Sequence, residues 1–467
     1  MSINKNRQNE IELFFKVIYL MLAFISFNSF CARQWYISYI SYAVAFVGAI
    51  VIILRLTHLK DYLNIRVGIL IIFMVSYLIS AVNTIKYGFT ENLQGMIWMC
   101  LQYFAVFAFD ITADKDFIKK EFSIITKIFI VYTGLMSFIG LILMALNVSY
   151  YKIVDEYYII AGGYQFNRLW GCYNDCNYGA IFAIVSIVLS IYYITKKPKL
   201  IFTIFLWINN ICQYFYIAYS DSRTGQIAVV ATSFVLLLGL LLRSKKLGNK
   251  FGNKKAVKIL LSILISFVCA ILLLVGTIAI QNVTSEIKAK RAYEEAIAQG
   301  QTEEVATEES EEAEVGRGEE TIDYTQDPRM SIWRSALDIS KDHPIIGISF
   351  RNIRDYVFAE RPDSYLAQSG YNSMHNAFVD IIISQGALGL IIVLILIFFV
   401  LKKIVEYIPN TTDEEFREFI FIFSSLIAIV ASMLTYSEVF YMNTAGAFMF
   451  WYLLGYLVNY KAVKAKE

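Results

Sequence analysis

One histidine stands where an imidazole could act as a base. His375 lies in 371–376 (YNSMHN), directly before an apolar run that begins at Ala377. The ring is therefore expected at the mouth of a helix. An imidazole titrates near neutral pH and can accept a proton there. Hydrogen bonding at the helix end is the alternative role for the same side chain.

Two arginines could hold an anion near such a base, and Arg223 is the first. It lies in 220–225 (SDSRTG), between two apolar stretches. A charged residue at membrane depth is costly, which favours a functional role. The alternative is a side chain that extends to the membrane interface. A guanidinium presents a planar fork of donors that suits a diphosphate.

Arg329 is the second arginine. It precedes Trp333 by four residues, which places both side chains on one face of a helix. The stretch 331–340 has helical apolar spacing, and Pro344 follows it as a stop signal. The sequence therefore predicts a short helix that presents Arg329 and Trp333 together.

A polar turn at 167–177 (NRLWGCYNDCN) leads into another apolar stretch. Its polar side chains could bind substrate, and the alternative role for its Asp and Asn side chains is to cap the helix that follows. Cys172 and Cys176 could form a disulfide if the turn faces an oxidising compartment, or their spacing could be coincidental. The candidate substrate-binding residues of the whole chain are Arg168, Asn177, Ser222, Arg334 and Asn376.

The composition places these residues in a membrane protein. Of the 467 residues, 57% are hydrophobic and 17% are charged, whereas soluble proteins average about 45–50% and about 25%. So few charges cannot cover a soluble surface. The net charge of +2 gives no reason to expect a nucleic-acid partner.

Twelve apolar stretches are long enough to cross a bilayer, and they must be helices because backbone amides in lipid have to bond internally. The predicted fold class is an all-α polytopic membrane protein of about 12 transmembrane helices with one large extracytoplasmic loop subdomain. Lys127 is the only clear charge expected inside a span. The predicted spans are 11–30, 35–56, 65–84, 94–112, 122–146, 176–195, 199–219, 223–243, 257–280, 383–403, 416–435 and 440–459.

Alternate short loops are rich in Lys and Arg, which predicts that both termini are cytoplasmic. The first span shows no cleavage site and is expected to be a retained anchor. The active site is then extracytoplasmic, in a bacterial inner or plasma membrane. The predicted domains are 1–280 with helices one to nine, 281–321 as an acidic linker, 322–375 as the folded part of the outer loop, and 376–467 with the last three helices.

The glutamate-rich stretch 286–320 is expected to be a solvated linker, partly helical or disordered. Cation binding or guidance of an acceptor is the alternative. The three scattered histidines exclude a transition-metal cluster, and His58 and His343 are expected to be surface or structural residues.

In combination, these features resemble the O-antigen ligase and Wzy-type polysaccharide polymerase family. The resemblance covers a large outer loop late in a many-span chain and several short patterns in a common order. Cys176 stands where that family usually has proline. The patterns are Ser220 to Arg223, Arg329 with Trp333, Pro344-Ile345-x-Gly347, His375-Asn376 followed by Gly386 and Gly389, and Gly171 with Asn174 and Asn177.

The resemblance implies metal-independent, inverting transfer of an oligosaccharide from a polyprenyl diphosphate to an acceptor hydroxyl. His375 would be the base, and Arg223 and Arg329 would bind the diphosphate. No cofactor is implied. The implied partners are the lipid-linked oligosaccharide donor and acceptor and the lipid bilayer, with a chain-length regulator as a further candidate.

The expected function is a polymerase for a capsule, an exopolysaccharide or an O-antigen. A ligase that passes the glycan to another acceptor is the alternative within the same class. A lipid-linked oligosaccharide flippase and a non-catalytic scaffold are alternatives of other classes. Internal repeats and prolines deep inside the spans would favour the flippase, and the sequence shows neither.

Overall fold

The computed structural model describes residues 5–156, 158–244, 255–313, 315–316, 328–437 and 439–462. Two of its α-helices, which end at Cys100 and at Gly455, continue without interruption as π-helix, over Leu101–Phe107 and Tyr456–Lys461. The α-helices are α1 (Lys5–Phe27), α2 (Trp35–Leu56), α3 (Ile65–Asn83), α4 (Phe89–Cys100), α5 (Lys115–Ala145), α6 (Cys176–Thr195), α7 (Leu200–Ser220), α8 (Arg223–Arg243), α9 (Lys255–Ala298), α10 (Glu303–Glu312), α11 (Pro328–Ile339), α12 (Ile353–Glu360), α13 (Tyr365–Ser369), α14 (Ala377–Tyr407), α15 (Asp413–Met433) and α16 (Ala445–Gly455).

Nine helices of the described residues are long and apolar enough to cross a membrane, in agreement with an all-α polytopic membrane protein. They are α2, α3, α5 to α9, α14 and α15. The predicted count of twelve is not confirmed. The other three predicted spans fall on α1, which carries several charged residues, and on α4 and α16, which are short before they continue as π-helix.

The ninth predicted span continues well beyond its expected end at 280. α9 runs to Ala298, and α10 packs back along it. Alanine, lysine and glutamate dominate this extension, and all three favour helix. The acidic linker expected at 281–321 is therefore largely a helical hairpin as far as Glu312. The boundary expected at 321–322 lies outside the described residues.

A three-stranded antiparallel sheet occupies the loop between α5 and α6, where the sequence predicted no strand. Its strands are β1 (Ser149–Asp155), β2 (Tyr158–Gln165) and β3 (Arg168–Gly171), in the order β1-β2-β3. Tyrosine and β-branched residues are frequent in it, as strands favour. The two-residue turn before β3 has positive φ at both positions, as hairpin turns require. The sheet brings Arg168 to the start of α6.

Charged side chains are buried between α1, α2 and α5. Lys16 Nζ lies 2.7 Å from Glu121 Oε1, and both side chains are 2% exposed. Arg55 donates to Glu12, which is buried as well. The expectation that Lys127 is the only charge within a span is therefore wrong. A buried charge is tolerated when it is paired, so these ion pairs join the helices that carry them.

The segment between α11 and α14 is fixed to the helices beneath it. Asn352 is buried and donates to Thr84 O at 2.9 Å, just after α3. Within the segment, Arg361 Nε donates to Asp342 at 2.9 Å, and Tyr356 donates to the same carboxylate at 3.1 Å. The hydrogen bond from Arg361 lowers the pKa of Asp342. The segment is therefore a folded unit that can position α11.

α14 is interrupted at Gly386, where φ is +59° and ψ is −157°. The chain around Gly347 fits into this break. Ile348 N donates to Ile383 O at 2.9 Å, and Ala387 N donates to Pro344 O at 2.8 Å. The backbone groups released by the break are thus bonded again, as a membrane-embedded helix requires.

Only glycine fits at the two facing positions of this break. A Cβ at Gly386 would lie 2.4 Å from Ile345 C, and a Cβ at Gly347 would lie 2.3 Å from Ser384 C. Both neighbours are backbone atoms and cannot move aside. Both glycines also have positive φ, which other residues adopt at a cost of about 1–2 kcal/mol.

We expect Gly386→Ala to destabilise the protein strongly, because the strained φ and the backbone overlap act together. The measurement is the thermal unfolding temperature in detergent. Gly68→Ala is the matched control, since Gly68 lies in α3 with no atom within 4 Å of an added Cβ. Equal unfolding temperatures for Gly386→Ala and Gly68→Ala would contradict the assigned packing.

Candidate functional site

His375 lies directly before α14, as the sequence predicted. Its φ is +49°, an uncommon backbone conformation for a residue with a side chain. The partly buried ring packs between two tyrosines. Its centroid is 5.5 Å from that of Tyr371 and 5.6 Å from that of Tyr436, and both contacts are edge-on. Aromatic packing on two sides restricts how the imidazole can turn.

The backbone next to His375 is held by two hydrogen bonds from side chains of other segments. Trp333 Nε1 donates to Met374 O at 2.8 Å. Met374 N donates to Asp380 Oδ1, also at 2.8 Å. Asp380 is 1% exposed and lies one turn into α14. Both backbone polar groups of Met374 are therefore fixed by side chains from separate helices.

Asn376 ties the same loop to the segment that follows α15. Its side-chain oxygen accepts from Phe378 N and Val379 N and so caps α14. Its Nδ2 donates to Leu434 O at 3.1 Å. Asn376, which was expected to be a substrate-binding candidate, thus makes three structural hydrogen bonds, and it places His375 beside Tyr436.

Arg329 lies in the first turn of α11 and faces Tyr436. Its guanidinium carbon is 5.7 Å from the centre of the Tyr436 ring. Trp333 reaches the His375 loop from four residues further along the helix. The shared helix face predicted from their spacing is therefore present, and it brings Arg329 and His375 onto one tyrosine.

Tyr436 is the residue on which the site converges, and sequence reasoning missed it. It is 5% exposed, and its ring also contacts Tyr178 with centroids 4.7 Å apart. Burial raises the pKa of its phenol well above the usual value, so the hydroxyl is protonated at neutral pH. The Asp175 carboxylate and the Arg329 and Arg168 guanidiniums also act on this phenol electrostatically.

Arg168 connects the turn before α6 to the corner between α7 and α8. Its Nε donates to Ser220 O at 2.8 Å, and its Nη2 donates to Asn177 Oδ1 at 3.1 Å. Asn177 is held in turn by Asp175 Oδ1, which accepts from the Asn177 side chain at 2.9 Å. Arg168 and Asn177 are thus hydrogen-bonded to each other, and the positive charge of Arg168 acts on Tyr436.

Ser222 and Arg223 begin α8 after a left-handed residue, Asp221, with φ of +42°. Ser222 is buried, and its hydroxyl caps the helix by accepting from Gly225 N at 2.9 Å. Arg223 is the first residue of α8 and is partly buried. The next side chain, Thr224, bonds to Thr435 at 2.8 Å. Because Thr435 adjoins Tyr436, this corner lies beside the tyrosine that His375 and Arg329 contact.

We name His375, Arg329, Arg168, Tyr436 and Asp380 the histidine cluster. It unites three of the residues expected from the sequence with two that were missed. Asn177 and Asn376 adjoin it through the bonds given above, and Ser222 and Arg223 directly precede Thr224, whose hydroxyl bonds to Thr435 beside Tyr436. Arg334 does not adjoin it: it is exposed on α11 and makes no hydrogen bond or ion pair within the described ranges.

The signals for the two missed residues were weak. Asp380 is a single acidic residue just before the apolar run of a predicted span, and Tyr436 is one of 32 tyrosines.

The disulfide left open for Cys172 and Cys176 is not formed, since all six cysteines are free thiols. Among the described residues, no three His, Cys, Asp or Glu side chains come together as a metal site would require.

The histidine cluster combines a proton acceptor with fixed positive charge. The imidazole and the Arg329 guanidinium lie against the same tyrosine, and a guanidinium offers several N–H donors. Such a site can bind an anionic group and remove a proton from a second molecule placed next to it.

Residues 208–394 match the model of a family described as O-antigen ligase. The match covers less than half of the chain and runs from α7 into α14. It contains Arg223, Arg329 and His375. A comparison with curated proteins found no match. Over this segment the chain is therefore similar to O-antigen ligases.

Proposed function

We propose that the protein is a polymerase that joins polyprenyl-diphosphate-linked oligosaccharide repeat units into a surface polysaccharide, such as a capsule, an exopolysaccharide or an O-antigen. One observation carries the proposal. His375 and Arg329, far apart in the chain, both contact Tyr436, and both lie within the segment similar to O-antigen ligases.

The proposed reaction is a direct displacement at the anomeric carbon of the donor sugar. The acceptor hydroxyl loses its proton to the His375 imidazole, and its oxygen forms the new bond to that carbon. The bond from the carbon to the diphosphate oxygen breaks at the same time. Because attack comes from the face opposite the leaving group, the anomeric centre is inverted.

The leaving diphosphate gains negative charge, which the arginines offset. Arg329 and Arg223 would hold it from two helices, as paired guanidinium forks. Arg223 also stands at the N-terminus of α8, where the helix dipole favours an anion. No metal ion is needed for this step, since the guanidiniums supply the positive charge.

The proposal places the histidine cluster at the extracytoplasmic end of the helices and both termini in the cytoplasm. This orientation rests on the distribution of Lys and Arg among the short loops. A lipid-linked donor would reach the cluster from the membrane. A chain-length regulator remains a proposed partner.

A ligase is the second candidate, because the matching family is described as O-antigen ligase. The deciding experiment incubates the purified protein with one lipid-linked repeat unit. A ladder of products identifies a polymerase, whereas a single transfer to a different acceptor identifies a ligase. Lipid-linked substrate that crosses a vesicle membrane without any glycan transfer would contradict both and support a flippase.

Asp380 is expected to act as a positioning residue for His375. Asp380→Ala removes the acceptor for Met374 N, and an unpaired buried donor costs about 1–3 kcal/mol. We expect kcat to fall about tenfold or more with little change in KM. Asp380→Asn keeps an oxygen acceptor and should restore much of the rate. Initial rates at several donor concentrations test this, and wild-type kcat in the alanine variant would contradict it.

A further inference from the structure

Asp380 is an acidic residue that is buried without a positive partner among the described residues. Its side chain is 1% exposed and lies in the first turn of α14. Met374 N donates to its Oδ1 at 2.8 Å. Its second oxygen, Oδ2, accepts no hydrogen bond of ordinary geometry within the described ranges. A carboxylate that is removed from water in this way is strongly unfavourable unless it is paired.

The start of α14 does not supply further donors to this carboxyl group. The first N–H groups of a helix can hold an anion, because they have no partner within the helix. Here Phe378 N and Val379 N both donate to Asn376 Oδ1, and Asp380 N donates to Asn376 O. The cap formed by Asn376 therefore leaves Met374 N as the backbone donor to Asp380.

Within the described residues, the elements packed against Asp380 provide no counter-ion for it. α3 and α11 pack against α14, and the segment after α15 lies beside Asp380. None of their titratable or charged side chains forms an ion pair or a hydrogen bond of ordinary geometry with Asp380. Together with those of the His375 loop, these side chains are Arg66 and Tyr77 on α3, Arg329, Arg334 and Asp338 on α11, Tyr436 and Tyr441 after α15, and Tyr371 and His375.

Ser437 lies against the same carboxyl group. Its hydroxyl is close enough to act on Asp380 by hydrogen bonding. It is 5% exposed, and its oxygen has no other partner among the described residues. Because Ser437 directly follows Tyr436, Asp380 stands between two segments of the histidine cluster. One is the loop of Met374 and His375, and the other carries Tyr436.

We propose that Asp380 is a neutral carboxylic acid whose Oδ2–H group donates a hydrogen bond to Ser437 Oγ. One proton then removes the buried charge and gives both unpaired oxygens a partner, while Oδ1 keeps the bond from Met374 N. Ser437 is thereby a positioning residue, since it ties the His375 loop to the segment of Tyr436 through Asp380. The effect on catalysis rests on the proposed glycan transfer, whereas the protonation state of Asp380 does not.

The proposal has a consequence for the pH dependence of glycan transfer. The rate should rise with pH as the His375 imidazole loses its proton and becomes a base. It should fall again in the alkaline range, because Asp380 then ionises and its bond to Ser437 is lost. Asp380→Asn keeps an acceptor for Met374 N and a donor for Ser437 but cannot ionise. In that variant the alkaline fall should disappear, and the acid limb should remain.

Infrared difference spectroscopy of the full chain in detergent tests the proton without any substrate. The carbonyl band of a protonated carboxyl group should be present in the wild type at neutral pH and absent from Asp380→Asn. Ser437→Ala should move this band to higher frequency, because the acid loses its acceptor. The same variant should lower kcat about two- to tenfold, the usual contribution of one hydrogen bond.

Ser424→Ala is the matched control. Ser424 is a buried serine of α15, and its hydroxyl also has no partner among the residues that the structure describes. Its replacement should change neither the band nor kcat. In the wild type, the band should disappear over the same alkaline range in which the rate falls, so the test does not depend on the folding of Asp380→Asn.

Two infrared results would overturn the proposal. Equal bands in the wild type and Asp380→Asn would show that Asp380 is ionised, and an unchanged band in Ser437→Ala would exclude Ser437 as the acceptor. An alkaline fall in Asp380→Asn equal to that of the wild type would exclude the role of the proton in positioning His375. A wild type without any glycan transfer would reject the proposed function, and the infrared bands would still decide the protonation state.

Discussion

Replacing His375 with alanine is expected to abolish glycan transfer and leave the fold intact. Loss of a general base lowers the rate by about 10²–10⁴-fold. The fold should survive, because the hydrogen bonds of Met374 and Asn376 that fix the loop do not involve the imidazole. The measurement is product formation from a purified lipid-linked repeat unit, with the unfolding temperature recorded for each variant.

His343→Ala is the matched control for this experiment. His343 lies in the same segment between α11 and α14, where its ring nitrogen is 3.3 Å from Asn83 Nδ2 and its ring packs edge-on against Tyr356. We expect this variant to retain activity. Full-length polymer from His375→Ala would remove the assignment of the base. Equal losses in both variants would point to damage of the whole segment between α11 and α14 instead.

The next largest effect is expected from Arg223→Lys and from Arg329→Lys. A lysine keeps the charge but replaces a planar, two-pronged donor with a single ammonium group. Removal of one well-placed donor to a developing oxyanion costs about 10²–10³ in kcat. We therefore expect each variant to lose most of its activity in the same transfer assay.

Arg351→Lys provides the control for charge-conserving replacement, since Arg351 is exposed in the segment between α11 and α14, away from the histidine cluster. It should keep the wild-type rate. If Arg223→Lys and Arg329→Lys also keep that rate, the two arginines do not bind the diphosphate. Loss in only one of the two would leave that arginine as the phosphate ligand and exclude the other.

Local features of the site were predictable from the sequence. The spacing of Arg329 and Trp333 fixes a common helix face, whatever the helix packs against. The polar residues before Ala377 are typical of a helix start, so the position of His375 at a helix mouth followed from short-range pattern alone. Apolar runs likewise located most of the membrane helices.

The remaining features depend on contacts between distant parts of the chain. Tyr436 receives its role from α6, α11 and the His375 loop together, and no local pattern separates it from other tyrosines. Asp380 is recognised only through its bond to Met374 N. Lys16 and Glu121 are 105 positions apart, so their pairing inside the bundle could not be read from charge counts.

The break in α14 shows the same limit. The spacing of Gly386 and Gly389 is typical of a helix surface of small residues, and it does not indicate that the helix is interrupted. The interruption exists because the backbone around Gly347 supplies the missing hydrogen bonds. Its cause lies about 40 positions upstream in the chain.

The interlocking of Gly347 with Gly386 determines which parts of this chain can be exchanged with a relative. A chimera that replaces only the segment between α11 and α14 would pack a foreign backbone against a helix break that does not match it. A transplant with a prospect of folding has to carry Pro344 to Leu388 as one module. Engineering of acceptor choice in this protein would therefore be guided by that unit rather than by the loop alone.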